Sequence, residues 1–194
     1  MRLSSARRVL LSGGVGSLRL VSAPLAALPP LLVDDPALSR ALGRSSAVLS
    51  VPEPARAYVV AGLARVSSRR PIFVAVPTTG EAERLTSDLA AYLGPDEVDL
   101  VPAWETLPFE RVSPGVETMG RRLRAMWRLC HGHAPAVVVA PVRSLVQRLG
   151  PHVDEVEPVV VEAGGQVDPT ELVERLVHDG YRREYQVEHR GEVA

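Results

Sequence analysis

Short apolar runs alternate with longer amphipathic segments along the first three quarters of the chain. Four runs predict strands, at residues 47–51, 71–76, 98–101 and 136–140. The segments between them place apolar residues near helical spacing and therefore predict helices. Strands of this length that alternate with helices are typical of a parallel sheet with flanking helices. The predicted fold class is α/β.

Capping residues indicate where several of these helices begin and end. Asp35 followed by proline predicts a helix that ends at Gly43, since proline favours the first helical position. Residues 52–54 predict the start of a second helix, which continues to Val66. Thr78 and Glu81 have capping-box spacing and predict a third helix that ends near residue 93.

A further helix is predicted to begin at Pro114 and to carry an apolar and a basic face. The apolar face comprises Val116, Met119, Leu123, Met126, Trp127 and Cys130. The opposite face carries Arg121, Arg122, Arg124 and Arg128. We expect these arginines to be solvated, with a docking surface as the alternative. A shorter helix is predicted over residues 142–149.

The segment between strand 98–101 and this helix contains three prolines, Pro102, Pro108 and Pro114. Each proline restricts the backbone and lacks an N–H donor, so we predict an ordered extended loop. Trp104 and Phe109 lie within this loop. Large aromatic side chains here indicate either that the loop packs onto the domain or that it presents a surface to a partner.

The pattern changes after residue 153. An apolar run at 156–161 predicts an edge strand, because a proline lies near its start. Asp168 predicts a helix that ends at Gly180, and residues 181–189 predict another strand. We interpret residues 154–194 as the incomplete beginning of a small α+β domain, and the sequence as a fragment of a longer one.

The N-terminal residues differ in composition from the rest. Residues 1–33 contain four arginines and no acidic residue, and their glycines interrupt any apolar run of the kind found in a signal peptide. We predict a disordered or non-native extension over 1–33, followed by the α/β domain over 34–153. No apolar run is long enough for a membrane span.

Charge and composition exclude several kinds of chemistry. The net charge is −1, and the residues after the extension carry an acidic excess, which does not favour nucleic acid. The sequence contains no lysine, which excludes a phosphate-loop lysine and a Schiff-base lysine. The single cysteine, Cys130, cannot form an internal disulfide, as is typical of a cytoplasmic protein.

The sequence Cys130-His131-Gly132-His133 has the residue types of a metal site. No second Cys or His pair follows at zinc-ligand spacing, so the motif predicts a helix C-terminus with histidines near the dipole. The remaining histidines, at positions 152, 178 and 189, are scattered, and their spacing indicates no Ser-His-Asp or Cys-His arrangement. We predict no metal site and no catalytic residue.

Residues 102–114, Pro-Ala-Trp-Glu-Thr-Leu-Pro-Phe-Glu-Arg-Val-Ser-Pro, resemble a loop of the bacterial transcription-repair coupling factors. That loop belongs to their N-terminal module, which is related to the excision-repair protein UvrB. The resemblance extends from about Ala47 to Ala194. It implies a degenerate helicase- or UvrB-like domain over 34–153 and an incomplete UvrA-binding-type domain over 154–194.

The same resemblance locates the residues that correspond to the UvrB phosphate loop, Gly-x-x-x-x-Gly-Lys-Thr. Ser50 and Ala55 replace the two glycines, Arg56 replaces the lysine, and Ala57 replaces the threonine that holds magnesium. Two prolines within the segment also remove backbone N–H donors. We therefore expect no cofactor and no enzyme activity here, with ATP and magnesium bound only by a motor elsewhere in the longer protein.

Residues near the C-terminus resemble the Tyr-x-Arg and Arg-Gly segment that UvrB and the coupling factors share in their second domain. They are Tyr181, Arg183, Arg190, Gly191 and Glu192. The resemblance implies that the completed domain binds UvrA, while other parts of the longer protein bind RNA polymerase and double-stranded DNA. Ordinary strand-face charge is the alternative for the two arginines.

These features predict a recruitment module for excision repair at stalled RNA polymerase. Two alternatives remain open. One is a fragment of a UvrB-like helicase, and the other is an unrelated small nucleotide-binding α/β domain.

Overall fold

The computed structural model describes residues 23–106, 114–149, 157–161, 163–189 and 191–194. Those up to residue 149 form one compact unit, and those from residue 157 onward belong to a second. The first unit contains strands β1 (Ile72–Val76), β2 (Val98–Leu100) and β3 (Val137–Pro141). Its helices are α1 (Pro36–Leu42), α2 (Arg56–Val66), α3 (Thr79–Leu93), α4 (Val116–Cys130) and α5 (Val142–Leu145). Short 3-10 helices span Pro29–Leu32, Glu53–Ala55 and Pro95–Glu97.

The three strands of the first unit form a parallel sheet in the order β1-β3-β2. Ile72 of β1 and Val98 of β2 both pair with Val137, so β3 lies between the two. Every residue of β3 is buried, as its unbroken apolar sequence requires at the centre of a sheet that is covered on both faces. The predicted α/β class with a parallel sheet is confirmed.

Small and aliphatic side chains cover both faces of this sheet. On one face, α2 and α3 contribute a core that is rich in alanine, including Ala57, Ala61 and Ala82 packed with Leu89. On the other face, Ala125 of α4 packs with residues of β3 and with Val101. Alanine has no side chain beyond its β-carbon, so α2 can approach closely, while its larger residues remain only partly buried.

The predicted helix caps are confirmed. The Asp35 carboxylate accepts hydrogen bonds from the N–H groups of Ala37 and Leu38, at 2.8 and 3.1 Å. The Thr78 hydroxyl accepts one from the Glu81 N–H at 3.2 Å. Each cap satisfies a donor that the first helical turn leaves unpaired.

The strand predicted at 47–51 is wrong. These residues have no regular secondary structure, and Val48 is 97% exposed. An apolar run becomes a strand only where a neighbouring strand pairs with it, and none of the described strands pairs with this one.

The predicted orientation of α4 is also wrong in part. Val116, Met119 and Cys130 are exposed, whereas Thr118, Arg122 and Ala125 are the buried residues of this helix. Small residues rather than the longest apolar ones bring α4 against the sheet. The prediction that Arg122 is solvated is therefore wrong.

The second unit contains α6 (Pro169–His178) and two short parallel strands, β4 (Arg182–Arg183) and β5 (Glu192–Val193). Asp168 caps α6, as predicted, by accepting from the Thr170 N–H at 2.8 Å. Gly180 follows with φ +102°, a conformation that favours glycine.

Two strand predictions fail in the second unit. Residues 157–161 have no strand, and the strand predicted at 181–189 is reduced to two residues. The predictions for residues 107–113, 150–156 and 190, including those for Pro108, Phe109 and His152, lie outside the described residues. In the described ranges, no helix combines the length and apolarity that a bilayer crossing requires.

Candidate functional site

The segment that corresponds to a phosphate loop does not have the geometry of one. A phosphate loop joins a strand to a helix, but no strand precedes α2 in the described residues. Ser50 is exposed in an irregular stretch, and Ala55 ends a 3-10 helix. The Ala57 methyl group packs in the core, where no metal ligand is needed. Residues 50–57 therefore do not form a phosphate cradle.

A groove of about 430 Å³ borders this segment between α2, β1 and the start of α3. Its charged lining residues are Arg56 and Glu81, and the others are mainly aliphatic. A triphosphate needs several N–H donors and cations. The groove offers a single guanidinium together with the Glu81 carboxylate, and the Thr78 hydroxyl already accepts from the Glu81 N–H. The residues present do not fit a magnesium nucleotide.

The turn that follows β2 is anchored by a buried arginine. Arg122 is 2% exposed, and its Nη1 donates to the Pro102 carbonyl at 2.6 Å. Its guanidinium carbon lies 4.4 Å from the centre of the Trp104 ring, a cation–π contact. Burial lowers the pKa of Arg122. Among the described residues, no carboxylate pairs with it and no hydrogen-bond partner reaches its Nε.

Two further hydrogen-bonding groups tether the same turn. The Trp104 N–H donates to Oε1 of Gln147 at 2.8 Å, and the Glu105 carboxylate accepts from the Gly115 N–H at 3.3 Å and from the Thr118 hydroxyl. The Thr118 hydroxyl, followed by backbone N–H groups, lowers the pKa of Glu105. Of the two alternatives for this loop, packing onto the domain is the one found for its described part, residues 102–106.

A second arginine of α4 also has a structural role. Nη1 of Arg128 donates to the buried Asp99 carboxylate at 2.8 Å, and Nη2 donates to the Asp96 carbonyl at 2.6 Å. Nε of Arg124 lies 3.9 Å from the same carboxylate. The predicted solvated face is thus confined to Arg121 and Arg124, which remain exposed.

The Cys130-His131-Gly132-His133 motif ends α4, as predicted. The His131 N–H donates to the Trp127 carbonyl at 3.0 Å, and Gly132 has φ +74°. The imidazoles of His131 and His133 both stack against the Trp127 indole, with ring centres 5.3 and 5.2 Å away. No group of three potential metal ligands occurs in the part of the chain that the structure describes.

Four of the five predicted partner-binding residues lie close together in the second unit. Tyr181 and Arg183 are exposed beside β5, where the Arg182 N–H donates to the Gly191 carbonyl at 2.9 Å. Glu192 has an internal role, since its carboxylate accepts from the N–H groups of Glu188 and His189 at 2.9 and 2.8 Å. These two donors lower the pKa of Glu192. Arg190 lies outside the described residues.

Sequence reasoning did not identify the anchoring role of Arg122. The available indication was its spacing from Thr118 and Ala125, which places an arginine between small residues on one helical face. On an amphipathic helix an arginine is expected to face the solvent, and this expectation outweighed the indication from spacing.

The chain is similar to proteins named transcription-repair-coupling factor. It is 40% identical over 182 residues to the one from Mycobacterium tuberculosis (strain CDC 1551 / Oshkosh), which covers 88% of this chain. It is 32% identical over 139 residues to the one from Bacillus subtilis (strain 168), which covers 71% of this chain. The matches span 14% and 12% of those relatives, so the chain corresponds to a small part of their length. No family model matches the chain.

Proposed function

Since the chain is a relative of the transcription-repair-coupling factors, we propose that it is a non-catalytic recruitment module of a longer protein of that kind. The longer protein removes RNA polymerase stalled at DNA lesions, by means of an ATP-driven motor on double-stranded DNA that lies outside this chain. This module recruits UvrA to the lesion for nucleotide excision repair, in the cytoplasm. Contact is made through the completed second domain, to which Tyr181 and Arg183 belong.

The observation that carries the proposal is that residues 50–57 lack the features of a phosphate loop. The Arg56 side chain is exposed and makes no ion pair or hydrogen bond with any described residue. No strand leads into the segment, and its position for a magnesium ligand is occupied by the buried Ala57. A scaffold of the UvrB type without nucleotide chemistry is suited to binding a protein, and its exposed Tyr181 and Arg183 offer side chains that are frequent in interfaces.

A pull-down with purified UvrA tests this proposal. We expect full-length coupling factor and a longer fragment with the completed second domain to retain UvrA, and residues 1–194 to retain at least tenfold less. In the longer fragment, Tyr181→Ala combined with Arg183→Glu should reduce retention, whereas Arg56→Ala should not. Equal retention by the double variant and the wild type would exclude these two residues from the interface. No retention by the full-length protein would overturn the recruiting role.

A further inference from the structure

The segment from Val142 to Leu149 exposes aliphatic side chains that an ordinary surface segment would bury. Four aliphatic residues are 42–77% exposed, namely Val142, Leu145, Val146 and Leu149. We call them the α5 patch. Two of the polar residues between them turn inward: Ser144 is 3% exposed, and Gln147 is partly buried. A surface helix normally buries its aliphatic residues and exposes its polar ones.

Hydrogen bonds maintain this inverted orientation. The Ser144 hydroxyl donates to the Pro141 carbonyl at 2.9 Å, at the end of the central strand. Oε1 of Gln147 accepts from the Trp104 N–H at 2.8 Å, and Trp104 itself packs on buried Arg122. Rotating the segment to bury the α5 patch would break both hydrogen bonds. The exposure of the four aliphatic residues is therefore built into the fold.

Both charged residues within the segment at 142–149 are arginines. Arg143 and Arg148 flank it, both are exposed, and neither makes an ion pair or hydrogen bond with a described residue. Residues 118–153 contain no aspartate or glutamate in the sequence. By contrast, Arg121 and Arg128 on α4 are paired with Glu117 and Asp99. The patch thus combines aliphatic surface with two guanidinium groups that pair with no carboxylate of the described residues.

The geometry points to the α5 patch as the docking site for an amphipathic segment of a partner protein, with aliphatic residues on one face and carboxylates beside them. Its aliphatic side chains would cover the patch, and its carboxylates would pair with Arg143 and Arg148. The patch has no aromatic side chain on which a base could stack, so a nucleic acid is a poorer fit. This site is separate from the UvrA-binding role, and a negative result for one of them does not affect the other.

Binding of a designed peptide to the complete 194-residue chain tests the site. The probe is a fluorescein-labelled helix-forming peptide with leucines at positions i, i+3, i+4 and i+7 and glutamates beside them, followed by fluorescence anisotropy. We expect binding that weakens at least tenfold when the glutamates are replaced by lysine. Leu145→Ser combined with Val146→Ser should weaken binding to a similar extent, as should Arg143→Glu combined with Arg148→Glu. Val48→Ser removes an even more exposed aliphatic side chain elsewhere and should leave binding unchanged.

Several results would overturn the inference. These are no binding of the glutamate peptide, equal binding of the lysine peptide, or equal loss in Val48→Ser and the patch variants. Concentration-dependent dimerisation of the chain that Leu145→Ser and Val146→Ser abolish would assign the patch to a second copy instead. Circular dichroism of each variant distinguishes loss of binding from loss of folding.

Discussion

The turn at residues 102–106 and the segment at residues 47–57 both lie in the first unit, yet they are held in opposite ways. The turn is tied to α4 by Arg122 and Glu105 and to the residues after α5 by Gln147. The other segment is exposed over most of its length, and the side chain of Arg56 pairs with no described residue. Hydrogen bonds from other elements therefore determine which of these two irregular segments is held in place. The apolar content of the segments does not determine it.

The largest effect on the difference between the two segments is expected from removal of Arg122, the buried anchor of the turn. Arg122→Ala eliminates the cation–π contact and leaves the Pro102 carbonyl without its donor, so we expect a loss of about 2–4 kcal/mol in unfolding free energy. Urea denaturation followed by circular dichroism measures it. The matched control is Arg121→Ala, which removes only an exposed pair with Glu117 and should cost less than about 0.5 kcal/mol. Similar losses in the two variants would contradict the anchoring role.

Arg122→Met separates packing from hydrogen bonding at the same position. It retains most of the buried volume without the guanidinium, and replacement of a buried charge by an apolar group can be neutral. A stability close to wild type would assign the role of Arg122 mainly to packing against Trp104.

A smaller loss is expected when the second tie between α4 and the sheet is cut. Asp99→Asn replaces the buried carboxylate that Arg128 contacts at 2.8 Å, and we expect a cost of about 1–2 kcal/mol in the same denaturation experiment. Glu97→Gln provides the control, because Glu97 pairs with Arg70 at 3.4 Å on an exposed surface. A cost as small as that of the control would show that the Asp99 pair is no stronger than a surface pair.

The tether at Glu105 should give a still smaller, pH-dependent effect. Its pKa is lowered in the folded state by the Thr118 hydroxyl first, so the unfolded chain binds a proton more readily. The stabilisation is complete above the unfolded pKa, near the ordinary value of 4.5, and is lost as pH falls through the folded pKa. The stability difference between wild type and Glu105→Gln should shrink from pH 6 to pH 3, and Thr118→Val should reduce that change. A difference that is constant with pH would rule out this linkage.

In the exposed segment at residues 47–57, Arg56→Ala should have almost no effect on the free energy of unfolding. The side chain is exposed and unpaired among the described residues, so we expect a change below about 0.5 kcal/mol. Magnesium-ATP at millimolar concentration should not raise the melting temperature of either protein. A shift in the wild type that Arg56→Ala removes would instead support a nucleotide-binding domain.

The sequence predicted the elements whose determinants are local. Asp35 and Thr78 cap their helices through atoms two or three residues away, and the apolar run of β3 needs no information from elsewhere. The conformation of residues 47–51 could not be predicted in this way, because a strand depends on a pairing partner distant in sequence. Short strands such as β4 likewise depend on a neighbour, here β5.

The candidate site was harder to predict for the same physical reason. The substitutions at 50–57 are visible in the sequence, whereas the missing strand before them is not. Arg122 contacts Pro102 twenty positions earlier, and Gln147 contacts Trp104 forty-three positions earlier. A helical pattern assigns both side chains to solvent unless those contacts are known. The inward orientation of Gln147, which exposes the α5 patch, was invisible for that reason.

The position of β3 at the centre of the sheet also constrains the order in which this fold can assemble. β1 and β2 are made first, yet each pairs with β3 and not with the other. During synthesis, both earlier strands therefore remain without a partner until residues 137–141 have left the ribosome. Pairing between distant residues is slow because the intervening chain must be closed into a loop, and unpaired strands are open to aggregation meanwhile. The nascent chain thus has an interval of vulnerability that ends only when its third strand is complete.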